Sequence, residues 1–173
     1  SKETSSGDLK YQRTYTDGKL YSAVTGYSTP LFTPTQLEGI YKDVLDGSDS
    51  RLTTVMDTVT NEHAAPGNVI TTIDPDVQKA AYAALGDKKG AAVAIDPKTG
   101  KILAMVSTPS YDPSTITGAS DGDTWTKLNK DADKPLVNRA IRQPLPPGST
   151  YKLVVAAAAL EDGLYGSVDD RTD

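Results

Sequence analysis

Eight apolar residues in a row, Leu153-Val154-Val155-Ala156-Ala157-Ala158-Ala159-Leu160, limit what this chain can fold into more than any other stretch. A run so apolar and so rich in alanine forms a helix that has to be covered on all sides. Pro146-Pro147-Gly148 stands before it and keeps the approach out of helix, so the helix is expected to open at Ser149. Gly163 is its expected stop. Lys152 then falls on the first turn, three residues after Ser149 and on the same face.

That spacing suits a serine nucleophile activated by a lysine base. A helix N-terminus adds positive potential, which stabilises an oxyanion and favours a neutral lysine. A buried ammonium without a partner is costly, so a lysine in such a helix is paired, deprotonated or functional. The spacing alone is not specific. Among 13 serines and 13 lysines this is the only S-x-x-K, and about one is expected by chance. The plainer alternatives are a serine that caps a helix and a lysine that snorkels to solvent.

Composition removes other chemistries. The chain has 173 residues, enough for one medium domain or parts of two, and no cysteine. Disulfides, thiolate metal sites and cysteine nucleophiles are therefore excluded. Its one histidine, His63, is the only possible base for a Ser-His-Asp triad. It sits in Asn61-Glu62-His63-Ala64-Ala65-Pro66-Gly67, which reads as an exposed loop and an ordinary surface histidine. No cluster of ligand types implies a metal, and no cofactor is expected. The net charge of -5 is concentrated at one end, where residues 161–173 hold five acids and one arginine. No basic patch is visible, so nucleic acid is not an expected partner. No apolar run is long enough to span a membrane, and no signal peptide is present.

Along the chain, residues 9–27 alternate loosely and are rich in tyrosine, with Asp17-Gly18 as a hairpin signal. Leu37, Ile40, Tyr41, Val44 and Leu45 have helical spacing, with Gly47 as the stop. Residues 61–68 read as a linker. Val69 to Ile73 reads as a short β-branched strand. Asp74-Pro75 caps and opens a helix that runs to Leu85 and stops at Gly86. Ala91 to Ile95 and Ile102 to Val106 read as strands joined by the tight turn Asp96-Pro97-Lys98-Thr99-Gly100. Residues 107–137 are mostly irregular, with a short helix expected around Thr124 to Leu128. The loop from Asp131 to Pro147 leads into the Ser149 helix.

Several of these segments, in order, resemble the class B penicillin-binding proteins, the peptidoglycan transpeptidases. Val69 to Leu85 resembles the lead-in "T-I-D-x-x-V-Q-x-A". Ala91 to Pro113 resembles the opening hairpin of the transpeptidase domain. Asn138-Arg139-Ala140, followed by Pro146-Pro147-Gly148-Ser149-Thr150-Tyr151-Lys152, resembles the approach and the first active-site motif. The tyrosine-rich front, ending in Gln36-Leu37-Glu38-Gly39-Ile40, resembles the end of the family's non-catalytic module.

The resemblance implies an α+β fold. Residues 1–68 would be part of a small β-rich pedestal or dimerisation-like module with its linker. Residues 69–173 would be the N-terminal part of a transpeptidase domain, an antiparallel sheet with helices. It implies that Ser149 attacks the D-Ala-D-Ala carbonyl of a peptidoglycan stem peptide, that Lys152 takes its proton, and that penicillins and other β-lactams acylate the same serine. Asn138 and Arg139 would be structural, tying the loop before Ser149 to the domain, and Tyr151 a packing residue.

The family builds its site from S-x-x-K, S-x-N and K-[TS]-G. Lys98-Thr99-Gly100 spells the third motif but precedes Ser149, and the turn explains it. Nothing after Lys152 spells the second or third motif. The C-terminal remainder of the same protein is therefore an expected partner, and a single membrane anchor before Ser1, with the domain outside the membrane, is expected as well. Two alternatives stay open: a serine β-lactamase or DD-carboxypeptidase with the same first motif, and a non-catalytic assembly or sensor module in which Ser149 is only a helix cap.

Overall fold

In the computed structural model, which describes residues 2–3, 11–49, 51 and 66–171, the chain opens with a short antiparallel pair, β1 (Lys2–Glu3) and β2 (Tyr11–Gln12). The described residues form two compact units, Ser1–Arg142 and Gln143–Asp173.

The hairpin expected at Asp17-Gly18 does not form. Asp17 takes the left-handed conformation, and helix α1 (Gly18–Thr25) starts directly after it. Leu20, Ala23 and Val24 recur at helical spacing, and α1 buries Gly18, Ser22 and Ala23. Gly18 answers a close approach, not a two-residue turn: a Cβ there would stand 2.2 Å from Asp112 Oδ1. The helix ends at Gly26, whose φ of 70° and ψ of -149° suit glycine alone.

The helical pattern after it breaks into two short pieces, α2 (Gln36–Ile40) and α3 (Lys42–Asp46), with Gly47 as a left-handed stop. Tyr15 ties this region together. Its hydroxyl accepts the Ser28 N–H at 2.9 Å and donates to Glu38 Oε1 at 3.2 Å, while Arg13 pairs with Glu38 at 3.2 Å.

The strand expected at residues 69–73 is also absent. The segment makes two hydrogen bonds to residues further along the chain: Thr72 Oγ1 to the Ile102 carbonyl and the Asp74 N–H to the Leu103 carbonyl, each 2.8 Å. One side-chain bond and one backbone bond do not make a ladder. Ile70 is 95% exposed, so β-branching alone did not decide the state here.

Helix α4 (Pro75–Leu85) follows as the sequence pattern expects. Asp74 Oδ1 accepts the N–H groups of Asp76 and Val77, Pro75 opens the first turn, and Gly86 closes the helix. Strands β3 (Gly90–Ile95) and β4 (Ile102–Thr108) pair antiparallel from Gly90↔Thr108 to Ile95↔Ile102, with one irregularity at Ala94/Ile95. After β4 come a 3-10 helix (Pro113–Ile116), α5 (Gly122–Lys130) and α6 (Arg139–Arg142).

Two contacts build the core of this unit. Ala104 and Val106 of β4 are buried, as is Gln78 of α4, which is 0% exposed. The Gln78 amide accepts the Met105 N–H (2.9 Å) and donates to the Met105 carbonyl (3.0 Å) and to the Leu20 carbonyl of α1 (2.8 Å). One side chain thus serves β4 as a neighbouring strand would and also holds α1. The second contact is aromatic. Tyr27, Tyr111 and Ile116 form a buried cluster against Phe32, Trp125, Leu128 and Leu136. Phe32 and Trp125 stack at 3.8 Å, and the Trp125 indole N–H donates to the Tyr27 hydroxyl at 3.1 Å.

The second unit holds a 3-10 turn (Gly148–Tyr151) and helix α7 (Lys152–Glu161), which ends before the positive-φ Gly163. The helix forms as expected, but its expected burial does not. Leu153 is 77% exposed, and no residue of α7 is buried. Within residues 143–173 the described chain has only turns and coil to set against it. Tyr151, expected to pack, is exposed as well.

Burial, and next to it the Glu38 carboxylate, pushes the Tyr15 phenol well above its ordinary value of 10.0. Burial does the same to Tyr111, with Tyr27 second. A raised folded pKa gives stability that is present below the unfolded value and lost as pH rises past it. Thermal melts should therefore show stability falling from about pH 10 upward, and Tyr111→Phe should blunt that fall. Gly26→Ala combines a forbidden φ with a Cβ 2.2 Å from the Thr35 carbonyl. A loss of about 2 kcal/mol or more is expected in denaturant unfolding.

Candidate active site

The chemistry of Ser149 begins with the backbone that presents it. Gly148 has a φ of 54°, with no atom within 4 Å of where a Cβ would stand, so glycine is required there for conformation alone. Ser149 is the second residue of the 3-10 turn, and the Lys152 N–H donates to the Ser149 carbonyl. Sequence reasoning expects an α-helical first turn. Lys152 caps this turn and opens α7, three residues after Ser149. Ser149 and Lys152 are both exposed.

Neither the 3-10 turn nor α7 has a side-chain cap. The neighbouring Thr150 hydroxyl donates to the Pro147 carbonyl at 2.5 Å. The reading of Ser149 as only a cap therefore has no hydrogen bond behind it among the described residues. Asp170 closes the last turn of this unit by accepting the N–H groups of Gly166 and Ser167 at 2.8 and 3.0 Å.

Lys98-Thr99-Gly100 lies in the β3–β4 turn. Asp96 Oδ1 accepts the Lys98 N–H (2.9 Å), Asp96 Oδ2 accepts the Thr99 hydroxyl (2.6 Å), and the Gly100 N–H donates to the Asp96 carbonyl (2.8 Å). Gly100 has a φ of 72°. Every residue of the triplet is accounted for by the turn.

Asn138 and Arg139 are buried, and they act on structure as the resemblance implies. Asn138 Nδ2 donates to the Ala23 carbonyl of α1 at 2.7 Å, and Asn138 Oδ1 accepts the Ala140 N–H at 3.1 Å. The Arg139 N–H donates to Ser107 Oγ at 3.0 Å, while Ser107 Oγ donates to the Val137 carbonyl at 3.0 Å. The Arg139 guanidinium donates to the carbonyls of Lys134 and Asp133, closing the loop before α6. Sequence reasoning assigns no role to Gln78 or Ser107. Their signal is weak, since a buried amide or hydroxyl looks like any surface one until its partners are known.

His63 lies outside the described residues. Among the described residues no group of three or more His, Asp or Glu could hold a metal ion, and no helix is long and apolar enough to cross a membrane.

Comparison with known proteins identifies two matching families. The penicillin binding protein transpeptidase domain matches residues 90–170, and the penicillin binding protein A dimerisation domain matches residues 1–69. The peptidoglycan D,D-transpeptidase PbpA of Mycolicibacterium smegmatis is 44% identical over 167 residues, 91% of this chain and 34% of that protein. The crystal structure of PBPA from Mycobacterium tuberculosis is similar with a TM-score of 0.81 and 39% identity, covering 92% of this chain and 38% of that one. A penicillin G acyl-enzyme complex of penicillin-binding protein A from the same organism gives 0.80 and 38%, covering 93% and 39%. The chain spans about a third of the length of the curated relatives it matches.

The hydrogen bonds of Thr99 and then Lys98 hold the Asp96 carboxyl below its ordinary value of 3.8. An NMR titration should find it ionising below that value, and Thr99→Val should move it upward. An unchanged titration in the variant would contradict the turn geometry.

Proposed function

Since this chain belongs to the class B penicillin-binding proteins, we propose that it carries the nucleophile of a peptidoglycan D,D-transpeptidase. Ser149 Oγ attacks the carbonyl of the penultimate D-Ala of a stem peptide, and Lys152 Nζ takes its proton. The C–N bond to the terminal D-Ala breaks, and the departing amine takes that proton back. An amine from a neighbouring strand then attacks the ester and releases Ser149, leaving a cross-link. A β-lactam acylates the same oxygen, but its leaving amine stays tethered to the acyl group and the enzyme stalls.

The local order supports this reading: Ser149 stands in the 3-10 turn, three residues before the lysine that opens α7, and neither element has a side-chain cap. The similar protein caught as a penicillin G acyl-enzyme supports it from the chemical side. The other two family motifs would come from the C-terminal remainder of the same protein, and neither metal nor cofactor takes part. Residues 1–68 would belong to the pedestal or dimerisation-like module and residues 69–173 to the transpeptidase domain. A peptidoglycan substrate places the work outside the cytoplasmic membrane, with a single anchor.

Intact-mass spectrometry of the full-length protein before and after benzylpenicillin, with peptide mapping, tests the assignment. A lasting adduct on Ser149 is expected, and none in Ser149→Ala. Lys152→Ala should slow acylation by roughly 10²- to 10⁴-fold, the usual worth of a general base. Lys98→Ala should acylate at the parental rate. An adduct on another residue would sink the assignment of Ser149, and rapid turnover of nitrocefin would favour a β-lactamase.

A further inference from the structure

We propose that the cleft between the start of α1 and the first turns of α4 is a saccharide site, which takes the glycan of the peptidoglycan whose stem peptides the enzyme cross-links. The identity of the sugar rests on the reading of the chain as part of a peptidoglycan transpeptidase. The cleft holds about 520 Å³ and opens to solvent. Small-ligand sites usually hold about 300–1,000 Å³, so a short oligosaccharide has room. Tyr15, Asp17, Lys19, Lys79, Tyr82 and Asp112 line it, all within the first compact unit.

Each kind of residue in that lining supplies something a pyranose uses. The Tyr82 hydroxyl shares a hydrogen bond with Ser110 Oγ at 3.1 Å, and the Tyr15 hydroxyl is engaged by the Ser28 N–H and Glu38. Both rings are thus fixed at their far ends before any ligand arrives, which lowers the entropy cost of binding. Ring surface packs on the C–H face of a sugar as it does on other apolar groups. Lys19 and Lys79 are exposed and enter no ion pair among the described residues, so they are free to donate to sugar oxygens. Asp17 precedes α1 but makes no side-chain cap bond to it. Asp112 Oδ1 accepts the Ser114 N–H at 2.9 Å, and the absent side chain of Gly18 lets that carboxylate stand close to α1. The two carboxylates accept from sugar hydroxyls, and such charge-assisted bonds are stronger than neutral ones.

The same lining turns other occupants away. Two ammoniums against two carboxylates leave it without net charge, so a phosphate-rich ligand meets no field that favours it. Extended peptides bind chiefly by adding to an open strand edge, and helical ones by laying an apolar face into an apolar groove. Here the lining residues lie on α1, α4 and loops, with no strand among them, and four of the six side chains named are charged. A ligand with many hydroxyls and an apolar ring face fits this chemistry. Peptidoglycan stem peptides are attached to such a ligand, a chain of N-acetylated amino sugars.

Saturation-transfer NMR of the full-length protein with chitotetraose, an N-acetylglucosamine oligomer that carries no peptide, tests the site. The parent should bind with a roughly millimolar Kd. Lys79→Ala should weaken binding about tenfold, the contribution of one hydrogen bond to a charged group. Lys79 is exposed on α4, so this variant keeps the fold, and a melting temperature at the parent's value checks that. Tyr82→Leu, which keeps apolar bulk but loses the ring, should abolish measurable binding, whereas Tyr82→Phe should retain it. A parent that does not bind chitotetraose, or a Lys79→Ala protein that binds it as the parent does, would overturn the proposal. Displacement of chitotetraose by a sugar-free stem pentapeptide would assign the cleft to peptide and overturn it too. Benzylpenicillin labelling of the same parent sample separates the two readings. An adduct on Ser149 without chitotetraose binding removes the site and leaves the nucleophile standing. Binding without an adduct keeps the saccharide site and removes the transpeptidase reading.

Discussion

A single buried amide organises the first unit. Gln78 is 0% exposed and spends both ends of its amide on backbone: the Met105 N–H and carbonyl on one strand, and the Leu20 carbonyl on α1. Each bond is worth about 1 kcal/mol net, but each would leave a buried group unsatisfied if lost. The arrangement therefore specifies position more than it adds stability. It explains why α4, β4 and α1 share one core although α1 belongs to the front of the chain. Asn138 repeats the device by gripping the Ala23 carbonyl of α1.

The aromatic cluster extends that logic. Tyr27 and Phe32 come from the front, Tyr111 and Trp125 from the part that matches the transpeptidase family. Trp125 stacks on Phe32 and donates to the Tyr27 hydroxyl, so the polar ends of these rings are satisfied inside the contact. Two sequence families meet in this chain, but the packing does not separate them. One compact unit spans Ser1–Arg142, and the Ser149 turn lies in the other.

What was legible in the sequence follows from where the deciding forces act. Helix α4, the β3–β4 hairpin and the stop at Gly163 are written in local chemistry: an aspartate cap with a proline, alternating apolar residues around a tight turn, and a glycine at positive φ. The Lys98-Thr99-Gly100 triplet was readable as a turn for the same reason. The hairpin expected at Asp17-Gly18 failed because a close approach of residue 112 and a helical apolar spacing outweigh a two-residue signal. The strand expected at 69–73 failed because only two hydrogen bonds reach it. Asn138 and Arg139 read as structural in the sequence, but their partners on α1 and β4 are long-range and carry no sequence signature. The motif locates the Ser149 turn, whereas nothing in it specifies the 3-10 form.

Native-state hydrogen exchange tests the shared core most directly. Two amides matter: Gly26, which donates to the Ser22 carbonyl at the end of α1, and Met105, which donates to Gln78. If α1 and β4 are one cooperative body, both should exchange through the same opening, with one free energy and one denaturant dependence. A lower-energy opening of Gly26 that leaves Met105 protected would show α1 to be a separate module, and the account of a core tied by buried amides would be wrong.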